Sequence, residues 1–157
     1  MNRPMATLHL MVGLPCSGKT TLARRLEADQ PALRLTPDEW HIALFGQDAD
    51  DPAHDRRHSA VEELMWRVAE RTLQLGTDVI LDFGFWTREE RDDFRARAAG
   101  LGVAFAIHYT PCPPQELLQR LKERNAALPP GAFVISEGAL KGWMERFEAP
   151  DADELSA

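Results

Sequence analysis

The stretch LHLMVGLPCSGKTT, residues 8–21, constrains the fold more than any other part of this 157-residue chain. Residues 8–12 form an apolar run stopped by Gly13, which reads as a buried strand. From Lys19 to Asp29, Leu22, Ala23 and Leu26 recur at helical spacing. Between strand and helix, Gly13-Leu14-Pro15-Cys16-Ser17-Gly18-Lys19-Thr20 fits the pattern G-x-x-x-x-G-K-[ST]. The spacing has a physical reason. Gly13 leaves the strand and Gly18 lets the backbone curl, so that successive N–H groups converge on phosphate oxygens. Lys19 is long enough to reach the β- and γ-phosphates, the Thr20 hydroxyl can bind Mg²⁺, and the helix N-terminus adds a favourable dipole. Pro15, Cys16, Ser17 and Thr21 complete the cradle, with Cys16 at a variable position that reads as loop filler. Such a loop binds a nucleoside triphosphate with Mg²⁺. ATP is expected, and no base-reading motif separates it from GTP.

The rest of the chain repeats the alternation of strand and helix. Residues 33–35 read as a second strand, followed by Thr36-Pro37-Asp38-Glu39, a helix start with capping residue, proline and glutamate in order. A polar stretch, residues 46–58, reads as a loop. Val61, Leu64, Met65, Val68 and Ala69 then make one apolar stripe, predicting a helix over roughly 57–75 that Gly76 ends. Residues 79–82 are strand material ending in a carboxylate, and Thr87–Glu90 opens a helix to about Ala99. A strand over 103–109, a helix over 114–125 and a helix capped by Ser136 follow, and the acidic tail from Asp151 is expected to fray. The pattern predicts one α/β domain over 1–157, three-layered, with a mainly parallel sheet of four to five strands.

Composition narrows the partners. A net charge of −7 disfavours broad nucleic-acid binding, and no apolar stretch has the length of a membrane span. The N-terminal apolar region is too short for a signal peptide. Cys16 and Cys112 have neither metal-ligand spacing nor a disulfide framework, so a reduced cytoplasmic setting is expected. Monomer and homodimer stay open.

Three features bear on chemistry beyond nucleotide binding. Asp38 follows the second strand and so falls at the carboxyl edge of a parallel sheet, beside the phosphate loop. A carboxylate there can accept a proton from an attacking hydroxyl, or it can simply answer the helix dipole. Asp82 ends an apolar strand, a position suited to Mg²⁺ and equally to hydrogen bonds with the loop backbone. Arg120 and Arg124 stand four apart on one helix face, ahead of the loop AALPPGAF. They suit a lid spanning about 120–135 that closes on a triphosphate, or else a solvated charged face.

With these residues in place, the chain resembles small P-loop kinases of the polynucleotide-kinase, zeta-toxin and chloramphenicol-phosphotransferase type, often labelled AAA-family ATPases. The resemblance rests on GLPCSGKTTLARRLE, LTPDEW, ILDFGFWTREERDDFR, PPQELLQRLKERN and ISEGALKGWMERFEAP, in that order along most of the chain. It implies phosphoryl transfer from ATP to a hydroxyl, with Asp38 as base and Lys19, Thr20, Arg120 and Arg124 handling phosphates. Arg88 and Arg91 fall where relatives place residues near substrate or lid, and fit surface ion pairs equally. Relatives often carry an arginine shortly after the base; here DEWHIALFG has none, and His41 is the nearest basic group. Relatives also usually continue past FEAP.

His54 and His58, four apart, lie among acids and arginines and read as a solvated helix start rather than a metal site. Trp40 and Trp86, with Phe85, are expected to wall an apolar acceptor pocket, while Phe83 and Phe85 also fit core packing. The expected function is transfer of the γ-phosphate to a hydroxyl of a small molecule: a nucleoside, sugar or antibiotic. The alternatives are a polynucleotide 5′-hydroxyl kinase, and a nucleotide-binding switch or partner-regulated ATPase with no acceptor.

Overall fold

Apolar runs that pack on both faces are what build the centre of this molecule. The computed structural model describes residues 5–156; the first four residues and Ala157 lie outside it, and with them the start of the N-terminal segment and the end of the acidic tail. Four strands, β1 (Thr7–Val12), β2 (Ala32–Leu35), β3 (Asp78–Gly84) and β4 (Ala104–Tyr109), pair in the order β2-β3-β1-β4. Every pairing is parallel. The central strands β1 and β3 are nearly all buried, as two-sided burial requires, whereas β4 is half-buried throughout.

The two-residue period of β1 sorts its side chains. Leu8, Leu10 and Val12 face one core, which Val61, Met65, Ala69 and Leu73 of α3 (His54–Gln74) complete. Met11 faces the other side with Ile80, against Ala23 of α1 (Lys19–Asp29). Helices thus cover both sheet faces, and the architecture is the three-layer α/β one expected. A separate cluster joins Leu14 of the phosphate loop to Leu117 and Leu121 of α5 (Pro114–Ala126) and Leu140 of α6 (Glu137–Arg146). Fully burying each such leucine contributes about 1.5–3 kcal/mol.

The remaining helices are α2 (Pro37–Phe45), α4 (Arg88–Leu101) and α7 (Ala152–Leu155). Two predicted caps form: the Thr87 hydroxyl accepts from the Glu90 amide at 3.2 Å, and Ser136 Oγ accepts from Ala139 at 3.1 Å. The predicted cap at Thr36 does not. Its hydroxyl instead donates to Asp82 at 2.9 Å, because α2 begins against the end of β3.

Two sequence expectations change. Of the stretch 46–58, residues 46–53 are the expected connection, but α3 starts already at His54, and Asp48 within the connection is buried. The tail does not fray over its described length. Asp151 and Glu154 form a reciprocal capping box, and Glu154 is buried on Arg91. None of the described helices is long and apolar enough to cross a membrane.

Candidate functional site

The carboxyl ends of β1 and β3 meet through a hydrogen bond from the Gly13 amide to the Gly84 carbonyl, 3.0 Å. The loop Gly13–Gly18 curls back from this point, and Gly18 takes φ +92° at the start of α1. That left-handed conformation strains an L side chain, which is why glycine precedes Lys19. Gly13 is a glycine for a different reason. A Cβ there would lie 2.4 Å from Thr110 Oγ1 and 2.6 Å from Ser17 Oγ, two hydroxyls themselves bonded at 2.7 Å. Cys16 also has positive φ, 71°, so the loop bends twice.

Asp82, at the edge of this cradle, is the hub of the phosphate side. Its Oδ1 receives Lys19 Nζ at 2.6 Å. Its Oδ2 receives the hydroxyls of Thr20 at 2.8 Å and Thr36 at 2.9 Å. The side chain is fully buried and the Lys19 chain is 15% exposed, so the pair is charge-compensated in a drying environment. The Thr20 hydroxyl and the Asp82 carboxylate are hard oxygen donors of the kind Mg²⁺ takes.

Arg120 and Arg124 both reach the loop, although Arg120 stays partly exposed and also pairs with Glu116 on its own helix. Arg120 Nη1 donates to the Cys16 carbonyl at 3.1 Å, and Arg124 Nη1 lies 3.8 Å from the Cys16 sulfur. Both guanidinium groups therefore flank the cradle, where an entering triphosphate adds negative charge. Beside the loop is a cavity of about 180 Å³ lined by Leu14, Ser17, Tyr109, Cys112, Met144 and Phe147, among others.

Asp38 stands in the first turn of α2, and its environment differs from that of Asp82. No hydrogen bond to its carboxylate exists among the described residues, and its side chain is 44% exposed. Partial burial pushes it above the usual aspartate range, against the pull of His58, Lys19 and Arg124. It is a carboxylate with free acceptor capacity beside the phosphate-binding groups. Lys19, Thr20, Asp38, Asp82, Arg120 and Arg124 are thus brought to one sheet edge.

Other predicted site residues are placed elsewhere. Arg91 is 1% exposed: its Nε donates to Glu154 at 2.7 Å and its Nη1 to the Phe85 carbonyl at 2.9 Å, so it is a buried structural group, not a substrate contact. Arg88 pairs with Asp153 at 2.7 Å and Asp151 at 3.1 Å, turned to the same C-terminal turn. His41 is fully buried and cannot touch an acceptor. Trp40 packs on the sheet-α3 core while Trp86 meets Trp143 at 5.4 Å, the rings tilted by 40°, in the α5–α6 cluster, so the two do not form one wall. Phe83 and Phe85 stack on each other at 5.4 Å and pack with Phe94, the core role that was the plainer expectation.

The sequence reading missed a polar cluster behind Asp38. Asp48 Oδ1 receives His41 Nε2 at 2.7 Å and His54 Nδ1 at 2.6 Å, and Oδ2 receives Arg57 at 3.1 Å. Although burial opposes it, these hydrogen bonds from His54, Arg57 and His41 hold Asp48 well below the usual carboxylate range. His41, Asp48 and His54 are metal-ligand types within reach of one another. Here both rings spend their N–H groups on Asp48, and the Arg57 cation occupies the second oxygen, so hydrogen bonding already saturates the cluster. His54 and His58 are accordingly not the solvated helix start expected. The only signal in sequence was their spacing of four, which does not point to Asp48 or His41.

A nucleotide cradle at the carboxyl edge of a parallel sheet, with an acid on its threonine and two arginines over it, defines a P-loop protein of the small-kinase type. The chain belongs to the AAA domain family, whose profile matches residues 8–150. No curated protein matches it in sequence. Among solved structures, it is similar to a chain of a Pnkp1/Rnl/Hen1 RNA repair complex (21% identity, TM-score 0.74, covering 92% of this chain and 45% of that one). It is also similar to a kinase-like protein of Chloroflexus aurantiacus (18%, TM-score 0.71, 94% and 83%). A third is Chaetomium thermophilum Kti12, solved with ADP-AlF3 (19%, TM-score 0.67, 92% and 81%). The chain spans less than half the length of the RNA repair protein it matches. These likenesses establish a kinase-like P-loop fold.

Proposed function

We propose that this protein is an ATP-dependent phosphotransferase that moves the γ-phosphoryl group to a hydroxyl of a small molecule. The observation that carries the reading is Asp38. Among the acids at the sheet edge, Asp82 has its oxygens filled by Lys19, Thr20 and Thr36, whereas Asp38 accepts no hydrogen bond among the described residues, is half-exposed, and has only the His58 ring as an ion-pair neighbour at 4.0 Å. A switch or a simple hydrolase has no need of a free carboxylate at the acceptor side; a kinase does.

In this reading the loop amides, Lys19, Arg120 and Arg124 bind and orient the triphosphate and stabilise charge on the phosphoryl group in flight. Thr20 and Asp82 would hold Mg²⁺, which would supply charge neutralisation at the phosphate oxygens. Asp38 takes the proton from the acceptor hydroxyl as its oxygen bonds to phosphorus; the bond to the β-phosphate oxygen breaks and ADP leaves. Partial desolvation makes Asp38 a stronger base than a free aspartate, while the neighbouring cations keep it ionised.

A small organic acceptor is favoured over a nucleic-acid strand by the net charge of −7 and by the absence of an exposed basic group next to Asp38 on α2, His41 being buried. The test is ATP turnover against a panel of nucleosides, sugars, aminoglycosides, amphenicols and 5′-hydroxyl oligonucleotides. One small-molecule class should raise turnover sharply and appear phosphorylated by mass spectrometry. Stimulation by the oligonucleotide alone would make it a polynucleotide kinase, and silence across the panel would favour the acceptor-free switch.

A further inference from the structure

The four ring nitrogens of His41 and His58 have partners that fix the proton count. His41 Nε2 lies 2.7 Å from Asp48 Oδ1. His58 Nε2 lies 3.2 Å from Glu62 Oε1 and 4.0 Å from Asp38 Oδ1. The two Nδ1 atoms face each other at 3.1 Å. An ionised carboxylate only accepts, so each Nε2 carries a proton, and the Nδ1–Nδ1 contact needs one more. Three protons on two imidazoles leave the pair with one positive charge.

We propose that the His41–His58 pair is a positioning device for the base: a single built-in positive charge, anchored on Asp48 and presented by His58 to the Asp38 carboxylate. The proposal rests on Asp38 being the base. Its anchor is rigid. His41 is fully buried, with the rings of Phe45 and Phe133 edge-on at 5.3 Å and 5.1 Å, so water does not compete for its nitrogens. Arg57 compensates the charge of Asp48, which leaves the charge on the histidine pair to act forward on Asp38. Phe133 and the Gln47 bonds to Ala132 and Val134 bring the lid segment down over the same cluster.

The carboxylates around His58 all act on it in the same direction. Its own helix α3 presents Asp55 and Glu62, with the His54 ring stacked at 5.8 Å; α2 presents Asp38 and His41. Burial alone would lower it, and the carboxylates of Glu62, Asp38 and Asp55 outweigh that and raise it above the ordinary histidine range. Asp38 also feels Lys19 of α1 and Arg124 of α5, opposed by Asp82 of β3. His58 is therefore one of three cations on the base. It is the one supplied by the helix pair that forms the acceptor side, where no arginine follows Asp38 along α2.

The test needs no acceptor. Carboxyl ¹³C and ring ¹⁵N titrations by NMR on the full chain read Asp38, His41 and His58 directly. The wild type should show the Nε2 of both rings protonated at pH 6.5 (a condition near the ordinary histidine value) and one shared Nδ1 proton. His58→Gln should raise the Asp38 midpoint by about one pH unit, the effect of losing an opposite charge at this range. Glu62→Gln, a near-isosteric change at a half-buried helical position, should lower the His58 midpoint. An Asp38 midpoint unmoved in a folded His58→Gln chain overturns the proposal. So does a neutral ring pair in the wild type, or a His58 midpoint indifferent to Glu62→Gln, and these two hold even if His58→Gln does not fold. The base reading fails separately, if Asp38→Asn retains transfer, and that result leaves these midpoints where they are.

Discussion

Arg91→Met tests whether the C-terminal turn is part of the fold. The Arg91 and Glu154 side chains are 1% and 2% exposed and meet through Nε–Oε1 at 2.7 Å and Nη2–Oε2 at 3.3 Å. Removing the guanidinium leaves a buried carboxylate without its partner, which costs about 3–5 kcal/mol. It also frees the Phe85 carbonyl, which holds a residue at φ 45° just before Trp86. For a chain of this size the loss lowers Tm by roughly 6–20 °C, at about 2–4 °C per kcal/mol. Equilibrium unfolding in guanidinium, followed by circular dichroism, measures it. Arg91→Met/Glu154→Leu should recover most of the loss, because the orphan charge is gone. ADP affinity should hold in both, since Arg91 is outside the cradle. The pH dependence has a definite sign. Glu154 is lowered in the fold: burial opposes this, but Arg91 and the Asp151 amide prevail. Its contribution is present above its ordinary value of 4.5 and fades as pH falls below it toward the folded value. A loss under about 1 kcal/mol for Arg91→Met, the scale of a surface pair, would refute the buried-latch reasoning.

Three further outcomes follow from the site. Gly13→Ala puts a methyl 2.4 Å from Thr110 Oγ1 and 2.6 Å from Ser17 Oγ, so calorimetric ADP binding should be lost while the circular dichroism spectrum stays helical. Lys19→Met leaves Asp82 buried without its 2.6 Å partner and removes a phosphate donor, so turnover should fall on the order of 10²–10³-fold in a coupled assay. Because burial raises Asp38, kcat/KM should decline with falling pH, with a midpoint above the ordinary aspartate value of 3.8, and a pH–rate profile locates it.

Much of this was legible because it is local. The phosphate loop is one contiguous motif, and a four-residue apolar strand ending in Asp82 places an acid at the sheet edge without knowledge of any partner. Arg120 and Arg124 could be paired by helical period, and the structure brings both to Cys16. What escaped depends on contacts between distant segments. Arg91 and Glu154 are 63 residues apart, and nothing in a solvated-looking DADEL announces a buried acid. Thr36 reads as a cap by every local rule, yet the hydroxyl goes to Asp82 because β2 and β3 are neighbours, a sheet order that periodicity does not encode. His41, Asp48 and His58 come from a helix, a connection and the next helix. Only the folding of α3 back along α2 makes them one hydrogen-bonded unit, so His58 looked like surface and His41 like a substrate contact.

The central claim is that Asp38 accepts a proton from a substrate hydroxyl while the cradle holds the nucleotide. The direct measurement is phosphoryl transfer by Asp38→Asn with the stimulating acceptor, alongside calorimetric ADP binding by the same variant. Transfer should drop at least about 10²-fold, the usual contribution of a general base, with ADP affinity unchanged. Transfer at near wild-type rate would contradict the account.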